Sequence, residues 1–345
     1  MRNRKRTGWR RYINGLSLAT LVTAVFILVP LYWLVVTSFK NPNAIGITPS
    51  LGPTALSGSN YHDAFVNYDF GIYFRNSLIV TIATLVTVLF IIIPLYWLVA
   101  TSFKNPNSIG TSPPALGPTP FSTQNYYDAF VGYDFGVYFK TSVIVTLSTT
   151  ALVLILGTMA GYALGRLPMR GKFTTMVTLL IISVFPAVAV LAPLYLLMRN
   201  LHLLDSYPAL IIPYTAFFLP FAIWILRNYF LGIPKEMEET GRIDGASPLR
   251  TVWTIVLPQA LPGLFTAGIF TFTACWTEFL FALTFNSSNN YRTIPVGIAE
   301  FGGNFQVPYG TIFAASVVAV VPIGILVFIF RKFVISGLTS GAVKG

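Results

Sequence analysis

Ile233-Pro-Lys-Glu-Met-Glu-Glu-Thr-Gly-Arg-Ile-Asp-Gly-Ala-Ser-Pro-Leu-Arg250, continued by Thr-Val-Trp-Thr-Ile-Val-Leu-Pro258, is a charged segment set between two long apolar runs, Ala209–Leu231 and Ala260–Phe285. A bilayer core about 30 Å thick is crossed by about 20 apolar helical residues, and both flanking runs meet that length. The segment therefore lies at one membrane face, where its charges remain in water. Pro234 suits a first helical position, and Glu236, Glu238 and Glu239 complement the positive end of a short helix. Gly245 can take the left-handed conformation that closes such a helix, and Ser247-Pro248 supplies a cap and a first-turn proline for a second one. The spacing predicts a compact helix-turn-helix knob.

Outward from the knob the chain is apolar almost throughout. Hydrophobic residues make up 54% and charged residues 10%, too little polar surface for a soluble globule of this length. Seven runs approach spanning length: Leu16–Phe39, Ser77–Phe103, Ser142–Leu164, Phe173–Leu197, Ala209–Leu231, Ala260–Phe285 and Tyr309–Phe330. The expected fold class is all-α and polytopic. The net charge of +11 comes from short basic clusters beside these runs, which fits a positive-inside membrane protein and excludes a nucleic-acid binder. Arg166, Arg170, Lys172, Arg227, Lys235, Arg242, Arg250, Arg331, Lys332 and Lys344 fall on one side of the last five runs, with only Arg199 and Arg292 opposite. The first side, which carries the knob, is cytoplasmic.

The N-terminal part carries a direct repeat. Leu31–Asn43, LYWLVVTSFKNPN, returns as Leu95–Asn107, LYWLVATSFKNPN; Asn60–Phe74, NYHDAFVNYDFGIYF, returns as Asn125–Phe139, NYYDAFVGYDFGVYF. The offset is about 64 residues, and the match begins where Ala19–Thr23 recurs as Ala83–Thr87. One helix and its following loop are duplicated head to tail, unlike the inverted repeats that build the midplane site of secondary transporters. The chain accordingly divides into 1–83, a basic N-terminus with the extra helix-loop unit, and 84–345. Arg2, Arg4, Lys5, Arg6, Arg10 and Arg11 precede a run too long for a signal peptide and without a convincing cleavage site, so an uncleaved anchor is expected.

The knob resembles the cytoplasmic signature of the inner-membrane permeases of binding-protein-dependent ABC importers: E-A-A, three residues, G, nine residues, then I-x-L-P. Glu239, Gly245, Ile255, Leu257 and Pro258 occupy those places, with Thr240 and Gly241 where the family has its two alanines. Trp276-Thr-Glu-Phe-Leu-Phe-Ala-Leu is similar to the family's W-N-E-F-L-F-A-L stretch, and Gly337-Leu-Thr-Ser-Gly-Ala-Val-Lys-Gly345 to the tail of its MalG-like carbohydrate branch. The resemblance covers roughly 84–345. It implies a six-helix, type I importer core, to which the duplication adds one N-terminal helix, in a bacterial inner membrane. It implies as partners a second permease subunit, giving a heterodimer, two ABC ATPases, an extracellular solute-binding protein, a sugar and membrane lipid, with no cofactor. Glu239, Thr240, Gly241, Asp244, Gly245, Ala246, Ile255, Leu257 and Pro258 (segment 233–258) are then the ATPase coupling residues, and Gly341, Ala342, Val343, Lys344 and Gly345 an ATPase-contacting tail. The outer loop 286–307 helps release sugar from the binding protein. Family members have six spans and both termini inside, so seven spans with a cytoplasmic Gly345 would export the basic N-terminus; that conflict falls upstream of Ser142.

Trp276 and Glu278 are candidates for the translocation pathway, because an acid inside an apolar run is functional by default; a structural hydrogen bond for Glu278 is an equal alternative. The prolines Pro186, Pro193, Pro213, Pro220 and Pro322 either free carbonyls along a pathway or simply kink their helices. Gly165–Lys172 fails as a phosphate loop, with five residues between its glycines and Phe173 where Ser or Thr would hold magnesium. Cys275 and the separated His62 and His202 make no metal or catalytic set. An enzyme is therefore not expected. A secondary transporter would want several midplane ionisable groups, and a membrane sensor a soluble signalling domain; the same machinery carrying a sugar alcohol or glycerol phosphate is the nearer alternative.

Overall fold

The computed structural model describes residues 25, 28–41, 52, 56–111, 113–243, 245–302 and 307–342. Apart from one bridge between Lys104 and Phe121, every regular element among them is helical. Their contacts divide the chain into two units, Met1–Ile92 and Ile93–Gly345, with the division inside one long helix.

The first unit contains α1 (Leu28–Ser38), α2 (Ser59–His62), a π-helical stretch Asp63–Asn67, and most of α3 (Phe70–Ser102). Lys40 lies over the Trp33 ring at 4.7 Å, the Ser38 and Tyr61 hydroxyls are 2.7 Å apart, and Asn60 donates to the carbonyls of Ser38 and Lys40. Asp69 then takes φ +50°. The second unit repeats this arrangement one copy later: Lys104 over Trp97 at 4.0 Å, Ser102 to Tyr126 at 2.9 Å, Asn125 to the carbonyls of Ser102 and Lys104, Asp134 at φ +53°. In the second copy Asn125 is buried against Gly310, where a Cβ would meet its Oδ1 at 2.3 Å.

The rest of the second unit comprises α4 (Gln124–Tyr127), α5 (Phe135–Arg166), α6 (Lys172–Val184), α7 (Ala187–Asn200), α8 (Tyr207–Gly232), α9 (Glu236–Ile243), α10 (Pro248–Thr251), α11 (Leu257–Gln259), α12 (Leu261–Thr277), α13 (Leu280–Phe285), α14 (Ile294–Ala299) and α15 (Tyr309–Ala342). Helices α3, α5, α8 and the Tyr309–Phe330 part of α15 are each long and apolar enough to cross a membrane, and two bent pairs raise the number to as many as six. The run Phe173–Leu197 is not one straight span: α6 and α7 meet at 91°. Pro186 has no N–H to donate and holds Phe185 extended at ψ 132°. The run Ala260–Phe285 stops at Glu278, also extended, and resumes as α13. Of the run Leu16–Phe39, only Val25 and residues 28–39 are described, so a span there lies outside the described residues.

The centre of the second unit is the pair α5 and α8, packed with α12 through Val153, Leu226, Phe230 and Ala267. Gly161 decides how close the pair comes: a Cβ there would sit 3.0 Å from Leu226 Cβ and 3.1 Å from the Arg227 amide nitrogen. Gly157 and Gly165 lie on the same helical face, giving a small-residue seam of the kind that lets membrane helices approach. The outside is the reverse of a soluble protein: none of the most apolar stretch of α3 is buried, and Phe90 is 79% exposed. Lipid is the solvent in which that surface is stable.

Candidate cytoplasmic coupling site

Helix α8 ends at Gly232, and Ile233 turns the chain out in an extended conformation, φ −79°, ψ 131°. Pro234 and Lys235 follow, and the Lys235 carbonyl accepts from the amides of Glu238 and Glu239, starting α9. Three glutamates in the first turn sit beside the unpaired N–H groups there.

The far end of α9 closes as a Schellman turn. Gly245 has φ +77° and the Ala246 amide donates to the Gly241 carbonyl at 2.9 Å. The Ser247 hydroxyl then accepts from the Arg250 amide at 3.4 Å, and its carbonyl from Thr251 at 2.9 Å, opening α10. A π-helical stretch, Val252–Val256, leads through α11 into α12, with a 68° bend at Ala260.

The two arms of the knob pack on each other at Gly241. A Cβ at 241 would lie 2.5 Å from Ile255 Cδ1 and 3.4 Å from Thr251 Cγ2. Glycine in place of the family's alanine thus brings Ile255 close onto α9, and the helix continues through the substitution. Behind α9, Arg166 Nε faces Glu238 Oε1 at 3.1 Å, with side chains 5% and 12% exposed. Neither atom has an aligned hydrogen bond, so the contact is an ion pair. Tyr162 donates to the other Glu238 oxygen at 3.4 Å, and Arg166 Nη2 donates to the Ile233 carbonyl.

Among the expected coupling residues, the structure brings Gly241 and Ile255 into contact and leaves Glu239, Thr240, Gly245 and Pro258 exposed, with Ala246 and Leu257 half-buried. Asp244 lies outside the described residues, as do Val343, Lys344 and Gly345, while Gly341 and Ala342 continue the α15 backbone. Trp276 is 3% exposed, stacks on Phe272 and donates to the Ala319 carbonyl at 3.0 Å. Glu278 accepts from the amides of Phe281 at 2.9 Å and Ala282 at 3.2 Å and from the Tyr214 hydroxyl, so it caps α13.

Sequence reasoning placed Arg166 with the basic residues of one face and Glu238 at the start of the knob without joining them, and it gave Tyr162 and Ile243 no role. The signal for Tyr162 and Arg166 was their four-residue spacing at the end of an apolar run, which puts them on one helical face. For Ile243, 85% exposed, it was an aliphatic side chain in a charged loop.

Residues 154–340 match the family model described as the binding-protein-dependent transport system inner membrane component. The sulfoquinovosyl glycerol transport system permease protein SmoH of Agrobacterium fabrum is 39% identical over 252 residues, 73% of this chain and 88% of the relative. The trehalose/maltose transport system permease protein MalG of Thermococcus litoralis is 34% identical over 272 residues, 78% of this chain and 97% of that one. A crystal structure of a bacterial ABC transporter involved in alginate import contains a chain sharing the fold, with TM-score 0.64 at 22% identity over 77% of this chain and 96% of that chain. A family signature on a closed knob, relatives matched over nearly their whole length and a shared helical fold agree: the chain belongs to the inner-membrane permease components of binding-protein-dependent ABC transport systems, in their MalG-type branch.

Proposed function

We propose that this chain is one of two permease subunits that form a sugar-conducting pathway, with α9 and the turn at Gly245 docking into a partner ATPase. ATP binding closes the ATPase pair, the knobs move with it, and the spans pass from inward-facing to outward-facing; an extracellular binding protein delivers the sugar. Hydrolysis belongs to the ATPase subunits, and the tail from Thr339 reaches their interface. The observation that carries the reading is the closed geometry of the knob: a Schellman turn, an arm-to-arm contact at Gly241 and an ion pair behind it leave Glu239, Thr240 and Ile243 facing outward on a supported scaffold. A mono- or oligosaccharide cargo is supported by the relatives, several of which are named for trehalose, maltose or diacetylchitobiose and one for sulfoquinovosyl glycerol.

The test is Gly245→Asp in the reconstituted transporter. A side chain at φ +77° strains the turn by about 1–2 kcal/mol and adds bulk to the docking face. The variant is expected to insert and to lose ATP-driven trehalose or maltose uptake. Normal uptake would overturn the coupling assignment, and uptake of glycerol phosphate in place of either sugar by the wild type would overturn the cargo.

A further inference from the structure

Helix α9 is joined to α8 along the chain by Ile233, Pro234 and Lys235, and its Met237 packs on the apolar cluster that includes Leu226, Phe230 and Val256. Such a link transmits a push along the chain but lets α9 swivel. Met237 and the Gly241–Ile255 contact seat α9 by packing, and Arg166 adds two polar contacts from the end of a span. Its Nη2 donates to the carbonyl of Ile233, in the link itself, while its Nε faces Glu238 in the first turn of α9.

Three features suit this arrangement to carrying torque. The pair is nearly dry, at 5% and 12% side-chain exposure, so its attraction is weakly screened. Glu238 is gripped from both sides, by Arg166 and by Tyr162, and both come from the last turns of α5. Helix α5 is in turn seated on α8 through the Gly157, Gly161 and Gly165 face. A rotation of α9 is therefore delivered to α5 and α8 together, and not to α8 alone.

We infer that Arg166 and Glu238 form a positioning clamp that couples the tilt of α9 to the α5–α8 pair, so that ATPase motion reaches the core spans instead of dissipating in the link. This rests on the reading of α9 as the ATPase-coupling element. Both act through the angle of α9.

The experiment uses the full transporter in proteoliposomes, with uptake per ATP hydrolysed as the readout, since a mere loss of assembled protein leaves that ratio unchanged. Arg166→Lys keeps the charge and cannot reach both partners; Glu238→Gln keeps the shape and removes the charge. Each is expected to lower the ratio by roughly tenfold, within the usual range of allosteric coupling factors. The double variant is expected to match either single one, because two members of one contact are not additive. Unchanged ratios in both single variants, or losses that multiply in the double variant, would overturn the clamp. Gly245→Asp run alongside separates the two readings: uncoupling by Gly245→Asp with normal Arg166→Lys and Glu238→Gln removes the clamp alone, whereas normal coupling in Gly245→Asp removes the assignment of α9 itself.

Discussion

At the scale of the residue, an acid in an apolar run carries a cost of about 2.5–3.5 kcal/mol, and Glu278 offsets it with three hydrogen bonds. Two go to the amides that open α13 and one to Tyr214. Glu278→Ala leaves these donors without a partner, and a loss of about 1–3 kcal/mol is expected, read as a lower unfolding temperature in detergent. Glu278→Gln, which keeps one acceptor oxygen, should lose less. A raised KM for sugar with an unchanged unfolding temperature would place Glu278 on the pathway instead. The two glycines of the knob show what residue types disclose. Gly245 was legible, because a glycine six residues past the last glutamate of an acidic helix start, just ahead of Ser-Pro, has few other uses. Gly241 was not: its reason is Ile255, fourteen positions away in sequence and in contact only after folding.

At the scale of the element, the seam between α5 and α8 sets the geometry on which the coupling site stands. Gly161→Leu would drive a side chain into Leu226 and the Arg227 backbone, neither of which is a flexible tip. Overpacking of this kind costs about 1–3 kcal/mol, and the expected result is a sharply reduced yield of folded permease in membranes, with Gly161→Ala intermediate. Equal yields for wild type and Gly161→Leu would show that the two helices separate freely. Helix existence was plain from hydropathy, but helix continuity was not. Pro213 and Pro220 stay inside α8 and Pro322 inside α15, whereas Pro186 stands at a 91° turn. Each proline removes one backbone bond; whether the chain then kinks or turns depends on the neighbours that re-satisfy the freed carbonyl, and those neighbours are not written in the local sequence.

At the scale of the molecule, the two copies of the helix-loop motif reach the same local structure, yet only the second is covered by Gly310. The hydrogen bonds that Asn60 and Asn125 make stay within their own copies. Deleting about Ala19–Ile82 removes one copy and joins Leu18 to Ala83; the shortened chain is expected to insert, bind its ATPase and import sugar. Loss of uptake in a deletion protein that still inserts and binds its ATPase would make the added unit part of the transport machinery.

The exposed apolar surface of α3 bears on how such a chain tolerates being spliced. Its opening Phe70–Thr81 echoes Phe135–Thr146 of α5, while its closing Leu95–Ser102 echoes Leu31–Ser38 of α1. Two different helices have been joined end to end within one rod. In a helix with a dedicated packing face, such a junction must respect phase, since each added residue turns everything beyond it by about 100°. A stretch that is apolar on every side has no face to misalign, so a junction within the exposed middle of α3 leaves it equally soluble in lipid. The same cut through α5 would swing Gly161 away from Leu226. Recombination within spans of this kind is therefore selected by packing seams, and lipid-bathed helices are the places where a membrane protein can acquire another span without first solving a new packing problem.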